Sequence, residues 1–252
     1  MRVNLTLLAR ERAARLPLNY NHAVASLIYG TLGNSSTDFA ARLHDEGFNL
    51  NGRRFKLFTF SRLNIRRSRL ARDHLLLQDP KISFQISSPF ADFIEHFVAG
   101  LFAIEAFNIA GAHFKLIEAE TLPAPVFSER MSFRSLSPIT ESVRDEQDRV
   151  RYLTLEDDWS EFIERNLKRK YRALYGTDPA NGKLNWKWDR AYIEKRAEQG
   201  HRASVLTEIR GIKIRGWLAP FTVEGSLELI ELGYEAGFGS RNSMGFGMVE
   251  VA

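Results

Sequence analysis

The sequence predicts an α+β protein made of two halves of similar length, and three observations lead to this prediction. Residues 1–122 alternate strand-like and helix-like patterns in the order β-α-(α)-β-β-α-β. The segment Leu122-Pro123-Ala124-Pro125 then has the composition of a junction between domains. Residues 123–252 again combine strand patterns with a long amphipathic helix. We therefore expect an N-terminal domain at 1–122 and a C-terminal domain at 123–252.

The first half reads as a ferredoxin-like unit with one additional short helix. Strands are predicted at residues 2–9, 55–61, 82–87 and 114–120, and helices at about 21–32, 37–46 and 89–105. The first helix has a buried stripe formed by Val24, Leu27, Ile28 and Leu32. Tyr29 lies beside that stripe, where a tyrosine at the edge of the core is the plain structural interpretation.

The second half is expected to repeat this architecture in a more decorated form. Strands are predicted at 126–137, 151–155, within 202–217 and at the C-terminal end, with helices at 156–175 and 225–232. The long helix carries a second stripe that is wholly basic: Arg165, Lys168, Arg169 and Arg172. Like charges at this spacing repel each other, so the stripe lies in water or faces an anionic partner. The two halves share no readable repeat, and the second unit therefore rests partly on the resemblance described below.

The composition excludes several classes of protein. The chain has 252 residues, a formal net charge of +4 and no cysteine. Disulfides and thiolate metal sites are therefore excluded, and a reducing cytoplasmic location is expected. No apolar run approaches the length of about 18 residues that a membrane span needs. Neither an HExxH motif nor a carboxylate cluster is present, so we expect no metal and no cofactor.

A glycine-rich stretch near the C-terminus is the most distinctive local feature. Gly237, Gly239, Gly245 and Gly247 bracket a polar loop that contains Arg241. Glycine adopts positive φ at little steric cost, and free amides in such a loop can face an anion with Arg241 as a charge-assisted donor. The alternative is a simple turn before the closing strand. Neither a P-loop nor a dinucleotide-binding fingerprint fits, since no Gly-Lys-Ser/Thr and no βαβ unit follows.

Other cations are candidates for contacts with a phosphate backbone. Ile212-Lys213-Ile214-Arg215 alternates, so Lys213 and Arg215 share one face of a predicted strand. Arg53 and Arg54 lie in a polar loop before the predicted strand 55–61. Arginines also cluster between residues 62 and 72, which is typical of a solvated hairpin or helix face, or else of an RNA-facing surface.

His44 is the histidine whose predicted position best suits acid catalysis. It lies in the last turn of the predicted helix 37–46, where the negative end of the helix dipole stabilises an imidazolium ion. A protonated histidine is the form that a general acid requires. A capping histidine without chemistry is the alternative. Lys56 begins the following strand and is expected close to the end of this helix.

The stretch Gly-Tyr-Glu-Ala-Gly-Phe-Gly-Ser-Arg-Asn-Ser-Met-Gly-Phe-Gly-Met-Val at 233–249 resembles the C-terminal loop of RAMP proteins. Within them the chain most resembles the sixth family of CRISPR-associated endoribonucleases, which cut CRISPR repeat RNA. The resemblance covers nearly the whole chain and is strongest at both ends. It implies two tandem ferredoxin-like domains and CRISPR repeat RNA as the partner. It also allows other Cas proteins of an effector complex, and a homodimer, as further partners.

The resemblance further implies metal-independent cleavage, in which the ribose 2′-OH attacks the adjacent phosphate. Related enzymes carry a tyrosine, a histidine and a lysine at positions that match Tyr29, His44 and Lys56. The loop between His44 and Lys56 is longer than in related forms, so Arg53 or Arg54 could supply the cation instead. A phenol has an ordinary pKa of about 10, so the tyrosine acts either as a base or as an orienting group.

A second hypothesis from the same resemblance is a RAMP subunit that binds crRNA or repeat RNA as a scaffold without cutting it. His44 argues against this alternative, because relatives that do not cut tend to lack the histidine. A structural α+β protein with an incidental basic face is a third hypothesis, which the glycine-rich stretch disfavours.

Overall fold

The computed structural model describes residues 1–35, 48–50 and 53–252, and only the backbone at 34–35, 48–50 and 53–54. The first half contains β1 (Arg2–Ala9), β2 (Arg15–Pro17), α1 (Asn21–Ser35), β3 (Phe48–Leu50), β4 (Arg53–Phe55), β5 (Thr59–Phe60), β6 (Asn64–Ile65), β7 (Ser68–Ala71), β8 (His74–Leu77), β9 (Lys81–Ser87), α2 (Ala91–Phe102), β10 (Phe107–Ile109) and β11 (Ala112–Leu122).

The second half contains β12 (Arg130–Ser135), β13 (Ser142–Arg144), β14 (Val150–Tyr152), α3 (Trp159–Tyr175), β15 (Leu184–Trp188), α4 (Arg190–Glu198), β16 (Ser204–Ile209), β17 (Ile212–Trp217), β18 (Phe221–Gly225), α5 (Leu227–Ala236), a 3₁₀ turn (Asn242–Met244) and β19 (Val249–Val251).

The two main sheets have the same topology, and the prediction of two tandem ferredoxin-like units is confirmed. The first sheet has the strand order β10-β11-β1-β9-β5, with β6 also paired to β9. The second has the order β15-β18-β12-β19. In each unit the first and third strands of the β-α-β-β-α-β pattern are neighbours, and the second and fourth lie outside them. The boundary between residues 122 and 123 stays a prediction; β11 ends at Leu122 and β12 begins at Arg130.

Each sheet is covered by the apolar faces of its own two helices. In the first unit, the buried side chains of α1 and α2 pack with inward-facing residues of β1, β9 and β11 in one core. In the second, an aromatic cluster joins the sheet to α3, because the Trp159 ring of α3 packs edge-on against Trp188 at 5.0 Å between centroids. This burial of large aromatic area fixes where α3 lies on the sheet.

Contacts between the units hold the two elements that flank the glycine-rich segment, α5 and β19, against the first unit. Arg2 donates from Nη1 to the Val249 carbonyl at 2.6 Å and from Nη2 to the Tyr234 carbonyl at 2.8 Å. Its guanidinium lies 3.7 Å from the centre of the Tyr234 ring. Burial lowers the pKa of Arg2 to about 10, and this arginine remains the charged form at neutral pH.

Several predicted elements differ from the structure. The predicted strand 55–61 is interrupted at residues 56–58, because Leu57 adopts a left-handed conformation with φ 45°. The predicted strand 126–137 is shorter, and the predicted helix 37–46 lies outside the described residues. The arginine-rich segment contains the β7–β8 hairpin, which agrees with the hairpin alternative and not with a helix face; its contact with RNA stays a prediction. Among the described residues, no helix is long and apolar enough to cross a membrane.

Candidate RNA-cleavage site

Tyr29 is placed by the buried face of α1. Val24, Ile28 and Leu32 are buried against the first sheet, which leaves Tyr29 at the edge of the core. Its ring packs edge-on against Phe58, with 5.6 Å between centroids, and its hydroxyl is hydrogen-bonded to Ser243 of the glycine-rich segment. Burial raises the pKa of Tyr29 above its ordinary value, although the bond to Ser243 opposes this shift. The phenol is therefore neutral at physiological pH.

Lys56 lies next to Tyr29, at the break between β4 and β5. Its Nζ atom is 5.8 Å from the centre of the Tyr29 ring. The turn that follows is fixed by burial of Leu57 and Phe58 and by a hydrogen bond of 2.9 Å from Ser88 Oγ to the Leu57 carbonyl. The left-handed backbone at Leu57 therefore directs the chain so that Lys56 is half-buried beside the tyrosine.

A cavity of about 380 Å³ lies between Lys56 and the second unit. Tyr29 is not part of its lining but contacts two residues that are, Lys56 and Ser243. Lys56 and its neighbours form one wall, and residues of α3 and the glycine-rich segment form the other: Asn166, Arg169, Lys170, Gly239, Ser240, Arg241, Asn242 and Ser243. A second cavity of about 480 Å³ shares Asn166, Arg169, Ser240 and Arg241 with the first. The cationic side chains that line the two cavities make this region suitable for a polyanion.

The basic stripe of α3 is less cationic than the sequence indicates. Arg165 pairs with Glu161 at 3.1 Å, Lys168 pairs with Glu164 at 2.7 Å, and Arg172 pairs with Asp178. The prediction of a wholly basic face was wrong, because acidic residues one turn earlier on the helix, or just beyond it, lie beside the cations. Arg169 is the member of the stripe that lines both cavities.

All four glycines of the glycine-rich segment have positive φ, from 71° at Gly239 to 88° at Gly237. A Cβ atom at Gly245 would approach the Phe60 ring to 2.5 Å, and one at Gly247 would overlap the Phe238 carbonyl. The glycines are therefore required by the backbone and by close packing. Of the four, Gly239 lines the smaller cavity.

The expectation of free amides in this segment is corrected at several positions. The Gly245 amide donates to the Asn242 carbonyl and the Gly247 amide to the Pro138 carbonyl, both at 2.9 Å. The Phe238 and Ser240 amides donate to the Gly247 and Thr140 carbonyls. These amides serve the loop's own structure. Arg241, exposed and left-handed at φ 60°, remains the group of this segment best placed to meet an anion.

The β16–β17 hairpin presents Lys213 and Arg215 as exposed side chains on one face. It reaches the first unit, where the Glu208 amide donates to Asn19 Oδ1 at 3.0 Å. Arg210 Nε donates to His22 Nε2 at 2.6 Å. This ring nitrogen accepts the bond, which joins α1 to the hairpin.

Three predicted residues fall where the structure is silent on side chains. His44 lies outside the described residues, and only the backbone of Arg53 and Arg54 is described, within β4. Ser243, Asn166 and Lys170 are residues of the site that sequence reasoning missed. The spacing of Lys170 from Ile163 and Leu167, at i+7 and i+3, does place it on the buried face of α3 and was a usable signal. Within the described part of the chain, no group of acidic, histidine or cysteine side chains could hold a metal ion.

Comparison with known proteins adds family information to this geometry. Residues 122–251 match the family model described as "CRISPR associated protein Cas6, C-terminal". Residues 15–120 match "CRISPR-associated protein Cas6, N-terminal". Among curated proteins, the chain is 33% identical to the CRISPR-associated endoribonuclease Cas6 1 of Methanocaldococcus jannaschii, over 99% of this chain and 92% of that protein.

Two solved structures are similar over the whole chain. One, described as "CRISPR associated protein Cas6", is 30% identical with a TM-score of 0.78, covering 100% of this chain and 99% of the other. The second, described as "An RAMP protein binding different RNA substrates", is 25% identical with a TM-score of 0.80 and the same coverage.

Proposed function

The chain belongs to the Cas6 family of CRISPR-associated proteins, and we propose that it is the endoribonuclease that cuts CRISPR repeat RNA to release mature crRNA. One observation of the structure carries this proposal beyond family membership. Lys56 of the first unit and the Arg241 segment of the second line one cationic cavity, and Tyr29 contacts Lys56 and Ser243 in its wall. An RNA strand that crosses the cavity would have its phosphate beside a lysine and its sugar within reach of a hydroxyl.

The proposed reaction is an internal transesterification. The ribose 2′-oxygen bonds to the neighbouring phosphorus as its proton is removed, and the bond from phosphorus to the 5′-oxygen of the next nucleotide breaks. The 5′-oxygen takes up a proton, which gives a 2′,3′-cyclic phosphate and a 5′-OH end. Atoms and charges balance without a metal ion. The reaction therefore needs proton transfer at both oxygens and a cation for the charge that develops on phosphorus.

Roles follow from the position and charge of each residue. Lys56 is the proposed electrostatic stabiliser, since an ammonium on the cavity wall can face the non-bridging oxygens. Tyr29, neutral because its pKa is raised, is proposed to orient the 2′-OH by a hydrogen bond rather than to remove its proton. His44 is the proposed general acid on the strength of the family resemblance and its predicted position in a helix.

RNA binding is proposed to extend from the cavity over the cations of the second unit. Arg241 and Arg169 line the cavity, and Lys213 and Arg215 extend the basic surface along the hairpin. Arg53 and Arg54 are proposed as further phosphate contacts from the sequence alone. The four glycines contribute by setting the backbone that carries Arg241. Other Cas proteins, a second copy of the chain and a cytoplasmic location remain predictions.

A binding protein that does not cut RNA is the second candidate, and the similarity to a RAMP protein described as binding different RNA substrates favours it. The two candidates share the cationic cavity and differ in the acid at His44. The host's repeat RNA, incubated with wild-type protein and with His44→Ala, therefore separates them. The cleavage proposal predicts that the wild type cuts and that the variant binds with unchanged affinity but loses most cleavage. Binding by both proteins without a cut would establish the scaffold function.

A further inference from the structure

Lys170 is a buried lysine in the middle of α3, and neither the predicted chemistry nor the basic stripe includes it. It is 3% exposed and lies on the same side of the helix as Ile163 and Leu167. A lysine in such a place needs a compensating arrangement, because an ammonium ion loses its hydration on burial. Burial accordingly lowers the pKa of Lys170, while the nearby Glu141 carboxylate opposes the shift.

The hydrogen-bond acceptors of Lys170 all belong to the glycine-rich segment. Nζ donates to the Gly237 carbonyl at 2.6 Å, to the Gly239 carbonyl at 2.9 Å and to Asn242 Oδ1 at 2.7 Å. An ammonium group has three protons, and these three acceptors match that number. Bonds to a charged donor are about twice as strong as neutral ones. Lys170 Nζ therefore links three positions of the segment 237–242 through hydrogen bonds to one atom.

Asn242 connects the acceptors of Lys170 to the rest of the segment through its own side-chain hydrogen bonds. While its Oδ1 accepts from Lys170, its Nδ2 donates to the Phe246 carbonyl at 3.0 Å and to the Phe238 carbonyl at 3.2 Å. The segment has only one short 3₁₀ turn of its own, and its glycines lose much conformational freedom when ordered. The lysine and the asparagine thus supply donors that a helix or a sheet would otherwise provide.

Two groups of the RNA site are carried by this part of the chain. Arg241 lies between the Lys170 acceptors Gly239 and Asn242, and Ser243 follows directly and is hydrogen-bonded to Tyr29. On the other side, Ser240 Oγ donates to Glu141 Oε2 at 2.6 Å. Loss of the lysine would release the backbone on which both Arg241 and Ser243 are mounted.

We propose that Lys170 is a positioning residue of the RNA site: its buried ammonium, bonded to three oxygens of the segment 237–242, holds Arg241 and Ser243 at the cavity. The inference rests on the proposed endoribonuclease function for its effect on cleavage, but the clamp itself can be measured without RNA. A catalytic role for Lys170 is not part of the proposal, since its nitrogen is saturated by protein acceptors.

The first test is Lys170→Met, with Lys168→Met as the matched control. Lys168 lies two residues earlier on α3 and is ion-paired with Glu164 at its surface. For Lys170→Met we expect at least about tenfold faster amide exchange at residues 237–247, with exchange in β15 and β18 unchanged. Wild-type exchange in this segment, in a folded Lys170→Met protein, would overturn the proposal.

Cleavage kinetics provide the second readout, at a temperature well below the unfolding midpoint of each variant. In single-turnover cleavage of repeat RNA, Lys170→Met should need several-fold more enzyme for half-saturation, because Arg241 is displaced. Its maximal rate should fall about 2- to 13-fold, because Ser243 no longer holds the Tyr29 hydroxyl. Lys168→Met should match the wild type. A lower melting temperature with wild-type rate and affinity would show that Lys170 is merely structural.

The absence of cysteine allows a rescue experiment. Lys170→Cys is unfolded, alkylated with 2-bromoethylamine to restore an ammonium, and refolded; a second sample receives iodoacetamide, which adds a neutral amide. Wild-type protein taken through the same cycle is the control. The ammonium alone should restore slow exchange at 237–247. Equal recovery with both reagents, or recovery with neither while the wild type recovers, would contradict the proposal.

A measurement on the wild type keeps the test independent of whether any variant folds. Native protein is treated with an amine-acetylating reagent, and acetylation of Lys170 is compared with that of exposed Lys213. We expect Lys170 to react at least about 100-fold more slowly, as a clamped and buried amine should. Equal rates would overturn the clamp. If the protein cuts no RNA at all, the exchange and acetylation results still decide the clamp, and only the proposed function fails.

Discussion

The role of Tyr29 gives the sharpest prediction about the chemistry, through the substitution Tyr29→Phe. The change removes one hydroxyl and keeps the ring that packs against Phe58. Ser243 loses its partner but is only half-buried, so water can replace the phenol. The stability of the site should therefore change little, and any loss of rate reports on the hydroxyl itself.

The expected magnitude follows from the protonation state of the phenol. With a pKa above about 10, fewer than about one molecule in 10³ carries the phenolate at pH 7. An orienting hydrogen bond between neutral groups contributes about 0.5–1.5 kcal/mol, which corresponds to a loss of about 2- to 13-fold in rate. A general base would instead contribute about 10²- to 10⁴-fold. We predict the smaller loss.

The assay is single-turnover cleavage of labelled repeat RNA with enzyme in excess, from about pH 6.5 to 8.5, with Tyr175→Phe as the control for an exposed tyrosine. For an orienting group, the ratio of the wild-type rate to the Tyr29→Phe rate should stay constant over this range. A ratio that rises about tenfold with each pH unit, together with a loss above about 10²-fold, would refute the orienting role.

Three further substitutions test the other assignments. Lys56→Met should lower the maximal cleavage rate about 10²-fold in the single-turnover assay, since a transition-state cation is lost. The control is Lys115→Met, which changes an exposed lysine of β11. A rate near wild type for Lys56→Met would exclude Lys56 as the stabilising cation. Arg241→Ala should weaken RNA binding and lower the slope of log affinity against log salt by about 0.7–0.9 in filter binding, with the cleavage rate at saturation little changed; an unchanged slope would remove it from the phosphate contacts. Gly247→Ala should lower the free energy of unfolding in urea by about 2 kcal/mol or more, through positive φ and overlap with Phe238. Gly200→Ala, with φ +76° and open space around it, should lose only about 1–2 kcal/mol, and equal losses for both glycines would contradict the packing argument.

The sequence predicted the larger elements because each has a clear period and a boundary signal. The strand at Arg2–Ala9, the helix from Asn21 and the strands within residues 202–217 lie where the patterns placed them. The break at Leu57 could not be predicted, because a left-handed conformation at a leucine is imposed by burial on both sides and has no glycine or asparagine to mark it.

The residues of the site were only partly predictable from the sequence. Tyr29 and Lys56 were selected through resemblance, and the structure places them side by side at the edge of the cavity that Lys56 lines, although their chemical roles stay predictions. The expectation of free amides in the glycine-rich segment fails at Gly245 and Gly247, whose amides bond to other backbone groups and whose places in the packing leave no room for a side chain. Lys170 had a periodic signal on the buried face of α3. The sequence could not show which groups accept its hydrogen bonds, because they lie about 70 residues later in the chain.

The central claim is that this chain cuts repeat RNA by using its own side chains. The most direct measurement is incubation of the purified protein with the host's CRISPR repeat RNA in excess EDTA, followed by analysis of both product ends. The account predicts one cut within the repeat, with a 2′,3′-cyclic phosphate on one product and a 5′-OH on the other. Cleavage that requires added metal, or products that carry a 3′-OH and a 5′-phosphate, would contradict it.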